Sequence, residues 1–162
     1  MKTFIMLELP ESAIDYLQVL QAGFDFDSVP RHKLHLTVKF VGDTPSHVDG
    51  AIRAGIKTMV LPELRLYLDR IGVFYNQTNV VWAGMSGDVD KLAAFAANVE
   101  RVCGLRSTIF RPHITLGRTS KWVAGVPVAN VSHVFCPTAL IYAESAKANG
   151  ETIYRTLERI DY

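Results

Sequence analysis

A short pattern occurs twice in this sequence and constrains the fold more than any other feature. Leu34-His35-Leu36-Thr37-Val38 lies in the first half, and Pro112-His113-Ile114-Thr115-Leu116 lies in the second. Each copy has a histidine, an apolar residue, a threonine and another apolar residue. The two histidines are separated by close to half of the 162 residues, which is the spacing that an internal duplication leaves behind. The pattern therefore predicts two similar halves, each with one copy.

The alternation within each copy predicts a β-strand with two different faces. Side chains on a strand point to opposite faces in turn, so His35 and Thr37 share one face, and His113 and Thr115 share one face of their own strand. The apolar residues of each copy lie on the opposite face and must pack on helices. We therefore expect both His/Thr pairs to point away from this packing, into a cleft between two lobes.

The remaining pattern predicts an α+β fold with mostly antiparallel sheet. Apolar periodicity and turn residues predict strands at 3–9, 34–41, 64–75, 78–85, 112–118, 131–144 and 152–160, and helices at 10–21, 45–60 and 86–103. Thr44 is expected to cap the second helix. This order of elements fits neither a helical bundle nor an alternating parallel sheet. With 49% apolar and 20% charged residues, we expect a single globular domain that spans residues 1–162.

Composition and charge narrow the class of protein further. No stretch approaches the ~18 to 20 uninterrupted apolar residues of a membrane span, and the N-terminal strand reaches Glu8 and Pro10 too soon for a signal peptide. Cys103 and Cys136 form no Cys-x-x-Cys pattern, which favours a soluble protein in a reducing, cytoplasmic setting. A net charge of +1 argues against a broad electrostatic surface for long nucleic acid. A nucleic-acid partner is expected to be short, or bound at one end.

Two histidines and two threonines meet the requirements of metal-free phosphodiester cleavage. The reaction needs a base for the attacking oxygen, an acid for the leaving oxygen, and donors for the non-bridging oxygens. Because the imidazole pKa is usually near ~6.5, one ring can be neutral while the other is protonated. A single histidine on a strand is more often structural, and the repetition is what favours catalysis. A metal site is a weaker alternative, since neither copy has His-x-His or a carboxylate at strand spacing.

With these motifs the chain resembles the 2H phosphoesterase superfamily, and within it the RNA 2′,3′-cyclic phosphodiesterases, also called 2′-5′ RNA ligases. The strongest matches to this family, whose signature is the HXTX motif, are residues 33–42 and 110–118; weaker ones are residues 72–74, 80–82, Glu144-Ser145, Gly150 and Tyr154. The resemblance implies a bilobal α+β fold. It also implies two mostly antiparallel sheets related by pseudo-twofold symmetry, helices on the outside, and an active-site cleft between the lobes.

The resemblance also implies a mechanism. His113 would act as base on water, and His35 would protonate the departing 3′ oxygen, leaving a 2′-phosphate. Thr37 and Thr115 would steady the phosphate oxygens. The implied protein is a monomeric hydrolase without metal or other cofactor, whose partners are RNA ends, short oligonucleotides or nucleotides with a cyclic phosphate, and not membranes. Reversible 2′-5′ joining of RNA ends would use the same site.

Residues near the motifs are candidates for substrate binding. Arg111 and Arg118 flank the second motif and suit phosphate geometry, while Phe110 and Tyr75 offer stacking faces for a base. Six basic residues lie near the motifs in the sequence: Arg31, Lys33, Lys39, Arg111, Arg118 and Lys121. This modest number favours a short oligonucleotide or a nucleotide end over long or structured RNA.

Three alternatives stay open at the level of sequence. The first keeps the catalytic site but takes 2′-5′ linked or cyclic oligonucleotide signals, as viral and phage relatives do; the motifs do not separate these substrates because the chemistry at phosphorus is shared. The second is a non-enzymatic module that binds RNA ends through the histidines. The third is a scaffold in which the histidines have only structural roles.

Overall fold

The computed structural model describes residues 1–123 and 132–162. In this part of the chain nine strands form two antiparallel sheets, accompanied by three α-helices. The strands are β1 (Lys2–Glu8), β2 (Asp27–Ser28), β3 (Leu36–Asp43), β4 (Leu66–Phe74), β5 (Asn79–Gly87), β6 (Ile114–Thr119), β7 (His133–Phe135), β8 (Ala139–Ala148) and β9 (Glu151–Asp161). The helices are α1 (Glu11–Gln21), α2 (Ser46–Lys57) and α3 (Val89–Val102). The predicted α+β class is confirmed.

Each sheet contains one of the two motif strands. The four-stranded sheet has the order β3-β1-β8-β9, and the five-stranded sheet has the order β2-β6-β5-β4-β7. All of the strand pairs are antiparallel. Strand β3 begins directly after His35, and β6 begins directly after His113. In both sheets three further strands follow the motif strand in the same direction across the sheet. The pseudo-twofold relation is therefore visible in the strand order, with β2 as an additional edge strand.

The helices cover the outer faces of the sheets. Helix α1 packs against β6 and β7 of the five-stranded sheet, while α2 and α3 pack against each other and against β9 and β3 of the four-stranded sheet. Buried residues one turn apart, such as Leu17 beside Ala13 and Ile56 beside Ile52, form the apolar stripe of each helix. None of the helices in the described part of the chain has both the length and the apolar content needed to cross a bilayer.

Several element boundaries differ from the sequence prediction, and strand β2 was not predicted. Two of the differences have clear physical reasons. Helix α2 begins at Ser46 and ends at Lys57, and the Thr44 hydroxyl does not cap it. That hydroxyl instead donates to the Gly42 carbonyl and shares a 2.6 Å hydrogen bond with Thr3. The predicted strand at 131–144 is two strands, β7 and β8, and the break contains Pro137, which has no N–H for a sheet ladder. Its predicted first residue, Val131, lies outside the described residues.

Candidate active site

The two motif histidines are held by the same local hydrogen bond. His35 Nδ1 lies 2.6 Å from the carbonyl oxygen of Lys33, and His113 Nδ1 lies 2.7 Å from the carbonyl oxygen of Arg111. A carbonyl only accepts hydrogen bonds, so Nδ1 of each ring keeps its proton in both the neutral and the charged form. The proton that each ring gains or loses is therefore the one on Nε2. This shared geometry leaves Nε2 as the ring atom that can exchange a proton in both histidines.

Both motif strands also contain a β-bulge at the same place. Between β1 and β3 the strand register passes directly from Thr37 to Lys39, which leaves Val38 without an opposite residue. Between β5 and β6 the register passes directly from Thr115 to Gly117, which leaves Leu116 without an opposite residue. A bulge next to an active site changes the direction of the side chains that follow. The duplication inferred from the sequence thus extends to an irregularity that no sequence pattern had indicated.

The first bulge reverses the two side chains that follow it. Strict alternation predicts Lys39 on the cleft face with Thr37, and Phe40 on the core face with Leu36. In the structure Lys39 is buried, with 8% of its surface exposed, and its Nζ lies 2.5 Å from Glu100. Phe40 is 70% exposed and lines the cleft. Phe40 is therefore a cleft residue that sequence reasoning missed. Lys39 still borders the cleft near His113, but its ammonium group is paired with Glu100.

Two of the other basic residues near the motifs form salt bridges with carboxylates. Arg31 forms salt bridges with Glu11 and Asp15, and Lys121 lies 2.8 Å from Asp25. In residues 1–123 and 132–162 no group of three or more His, Cys, Asp or Glu side chains is placed to hold a metal ion.

Two cavities meet at the motif residues. The first, which we call the His35 cavity, has a volume of about 300 Å³. The second, the His113 cavity, has a volume of about 340 Å³. The candidate residues that line the first are His35, Thr37, Thr115 and Arg118; those that line the second are His113, Thr37, Arg111 and Phe110. The cavities share Thr37 and Phe40, so the structure brings both motifs to one continuous cleft.

Tyr75 is the candidate residue that the structure leaves outside this cleft. It lines neither cavity, and its hydroxyl donates to the carbonyl of Val123. Its proposed stacking on a base stays a prediction. The aromatic residues that do line the His35 cavity are Phe4, Phe40 and Tyr154. In the sequence, Phe40 lies within the strong family match at 33–42 and Tyr154 within a weak one, whereas Phe4 had no such signal.

The His35 ring is packed between aromatic side chains. Phe4 lies 5.4 Å from it and Tyr154 lies 5.6 Å from it edge to face, measured between ring centroids. Burial lowers the pKa of His35, the bond to the Lys33 carbonyl partly opposes this, and the nearby His113 lowers it further. His35 Nε2 also lies 2.9 Å from the Thr37 hydroxyl. The neutral ring accepts a hydrogen bond from that hydroxyl, and the charged ring donates one to it.

The His113 ring rests on a different pair of aromatic residues. Phe74 lies 5.0 Å and Trp82 lies 6.2 Å from it, again between ring centroids. The indole reaches this position because it lies directly over Gly72, where a Cβ atom would come within 2.1 Å of the Trp82 ring. A glycine in a strand often marks such a close approach. Gly72 therefore contributes to the placement of the second histidine.

The lowered pKa of His35 gives a first testable prediction. In the protein without ligand we expect His35 to titrate below the usual value near ~6.5, because burial favours the neutral ring. The unfolded chain then binds more protons between the two pKa values, so this residue's contribution to stability is present above ~6.5 and is lost as the pH falls through the lowered value. Proton NMR of the imidazole signal that disappears in His35→Gln measures the midpoint. A midpoint at or above 6.5 would contradict the burial argument.

Comparison with known proteins gives the family. The family model described as the 2′-5′ RNA ligase superfamily matches residues 9–134. The chain belongs to the 2′-5′ RNA ligase superfamily. The match includes both motifs and all of the strands from β2 to β6. The bilobal arrangement described above is therefore the superfamily's fold in this chain.

Two named relatives and a solved structure resemble the chain over much of its length. The Escherichia coli K12 protein named RNA 2′,3′-cyclic phosphodiesterase is 29% identical over 137 residues, which cover 81% of this chain and 77% of that protein. The Aeropyrum pernix protein of the same name is 25% identical over 107 residues, which cover 62% of this chain and only 61% of that protein. The structure of E. coli LigT complexed with ATP has a TM-score of 0.82 and 26% identity, covering 99% of this chain and 96% of LigT.

Proposed function

We propose that this superfamily member is a metal-independent phosphodiesterase that hydrolyses 2′,3′-cyclic phosphate ends of RNA to 2′-phosphomonoesters. One observation supports this most directly: two imidazoles with the same Nδ1–carbonyl bond border one cleft, with the Thr37 and Thr115 side chains lining it. The names of the E. coli and A. pernix relatives agree with this activity. The ATP complex of LigT shows that a protein of this fold accepts a nucleotide.

The proposed reaction is an in-line displacement at phosphorus. Neutral His113 Nε2 takes a proton from water while the water oxygen forms a bond to phosphorus. The bond from phosphorus to the 3′ oxygen breaks, and protonated His35 Nε2 gives its proton to that oxygen. The hydroxyls of Thr37 and Thr115 donate to the non-bridging oxygens, where negative charge increases. The product has a 2′-phosphate and a free 3′-hydroxyl, and proton exchange with solvent restores both rings.

Substrate binding raises the affinity of His35 for the proton that it takes from solvent. In the free protein the low pKa of His35 keeps the ring neutral near neutral pH, whereas an acid catalyst must be charged. A phosphate anion beside the ring favours the charged form and raises the pKa. The Thr37 hydroxyl then accepts from Nε2 or turns toward the phosphate, because a hydroxyl both donates and accepts. His35 is thus expected to become an acid only when a substrate is bound.

The same arrangement suits the joining of RNA ends. A 5′-hydroxyl can take the place of water as the attacking group, with His113 again as base and the 3′ oxygen again as leaving group. The bond that forms then joins a 5′ oxygen to the 2′-phosphate. Hydrolysis has the advantage that water is always present, so we propose hydrolysis as the main reaction and 2′-5′ joining as a reaction at high concentrations of RNA ends.

The central test follows the phosphate directly. We expect the wild-type protein, in excess chelator, to convert a short RNA with a 2′,3′-cyclic phosphate into the 2′-phosphate, as seen by ³¹P NMR, with a bell-shaped pH dependence. A second reaction with an added 5′-hydroxyl oligonucleotide measures joining. If the RNA with a 2′,3′-cyclic phosphate is not turned over but a 2′-5′ linked or cyclic oligonucleotide is cleaved, the substrate is a signalling molecule instead of an RNA end. Binding of the cyclic phosphate without turnover of any of these substrates would support a binding module instead.

A further inference from the structure

The His35 cavity contains more positive charge than a single cyclic phosphate requires. Lys2, Lys33 and Arg118 line it together with His35, and its lining residues include no Asp or Glu. Within the described residues none of these three cations forms a salt bridge, and residues 124–131 contain no Asp or Glu in their sequence. The three charges are therefore available to a ligand.

A neighbouring cavity shows what a balanced site in the same protein looks like. This cavity, of about 460 Å³, shares Lys33, His35 and Tyr154 with the His35 cavity. Its two arginines, Arg31 and Arg159, each form salt bridges with carboxylates. Among the lysines and arginines of this neighbouring cavity only Lys33, which also lines the His35 cavity, forms no salt bridge within the described residues.

Two of the three cations of the His35 cavity, Lys33 and Arg118, lie near Tyr154. Lys33 Nζ lies 5.5 Å from the centre of the Tyr154 ring, and the positive charge of Arg118 acts on the tyrosine hydroxyl, opposing the rise in its pKa that burial causes. Lys2 and Arg118 lie opposite Asp43 and Asp27 in the strand register, yet neither pair of side chains forms an ion pair. Neither cation is therefore neutralised by the carboxylate that lies opposite it on the neighbouring strand.

We propose that the His35 cavity binds a second phosphate group of the substrate while the cyclic phosphate is cleaved between His35 and His113. This inference rests on the proposed function. A cyclic phosphate diester has one negative charge, and three unpaired cations beside a catalytic histidine favour a further anion. Phosphate groups next to a nucleotide's cyclic phosphate come from two sources: a 5′-phosphate on the same nucleotide, or the diester that links it to the preceding nucleotide.

Product binding tests the inference without turnover. Adenosine 2′,5′-bisphosphate is expected to bind about tenfold more tightly than adenosine 2′-monophosphate in low salt, because charge-assisted hydrogen bonds form to the second phosphate. Isothermal titration calorimetry measures both dissociation constants. Lys2→Met and Lys33→Met should each reduce the ratio of the two dissociation constants several-fold. The control Lys91→Met, which makes the same change of charge on exposed α3 outside all three cavities, should leave it unchanged. Equal affinities for the two nucleotides in the wild type would overturn the inference.

Kinetics then identify the source of the second phosphate. Three substrates are compared by kcat/KM: adenosine 2′,3′-cyclic phosphate with a free 5′-hydroxyl, its 5′-phosphorylated form, and the dinucleotide ApA with the same cyclic end. If kcat/KM is higher than that of the 5′-hydroxyl substrate only for the 5′-phosphorylated form, the second phosphate is a 5′-phosphate. If kcat/KM is also higher for the dinucleotide, the second phosphate is the linking diester. Equal values for all three would overturn the inference and leave the proposed function intact. If none is hydrolysed, the proposed function fails, and the ratio of product affinities still decides whether the cavity binds a second phosphate.

Discussion

Replacing His113 or His35 by alanine is expected to lower kcat for hydrolysis of the cyclic phosphate by about 10²- to 10⁴-fold, with KM much less affected. Each ring exchanges a proton in the transition state through Nε2, because Nδ1 is committed to a backbone carbonyl. Ground-state binding depends instead on hydroxyl and cationic groups that remain. Steady-state kinetics on purified variants measure both constants. A matched control is His47→Ala, since His47 is an exposed residue of α2 outside the three cavities.

The two alanine variants are expected to differ when the leaving group is changed. A substrate with sulfur in place of the bridging 3′ oxygen has a leaving group that departs as a thiolate without protonation, because a thiol pKa near ~8.5 is far below that of an alcohol. This substrate should restore most of the activity of the variant that lacks the acid, His35→Ala. It should not rescue His113→Ala, which lacks the base for water. Rescue of His113→Ala alone would reverse the two roles, and unchanged rates in both variants would exclude two-histidine catalysis.

The second large effect concerns the buried ion pair behind the first motif. Lys39→Met is expected to reduce the free energy of unfolding by about 3 to 5 kcal/mol, because it leaves the carboxylate of Glu100 buried without its partner. Lys39 Nζ contacts Glu100, the Arg106 carbonyl and the Thr108 hydroxyl. Urea denaturation measures the change. The control Lys57→Met removes an exposed lysine that lies 3.5 Å from Glu158, and Glu158 keeps Arg53 as a partner, so it should cost less than about 1 kcal/mol.

The double variant Lys39→Met/Glu100→Leu separates stability from positioning. Replacing a buried ion pair with apolar residues often restores stability, so much of the loss should be recovered. Thr108, however, also loses the carboxylate that accepts from its backbone N–H and its hydroxyl. Glu100 ties the segment that leads into His113 to α3, and Lys39 ties the same segment to β3, the strand that follows His35. We therefore expect kcat to stay about 10- to 100-fold lower, since small misplacements of reacting groups are costly. Full activity in a stable double variant would contradict a positioning role.

Much of the site was visible in local sequence patterns. The apolar residues of each motif are buried, and the histidine and threonine between them are partly exposed to the cleft, as a period of two requires. The helical stripes and the hairpin of β4 and β5 also follow from local periodicity and turn residues. These features depend on the order of residues within one element, so the sequence contains the information that is needed.

The arrangement of residues after each motif depended on tertiary structure. The bulges at Val38 and Leu116 come from the pairing of each motif strand with a strand that lies elsewhere in the chain, and local alternation contains no information about that register. Because of the first bulge Lys39 is buried against Glu100 and Phe40 enters the cleft. The cations available to substrate were likewise decided by which carboxylates the fold brings near. The sequence therefore specified the reactive groups, whereas long-range strand register and charge pairing specified their surroundings.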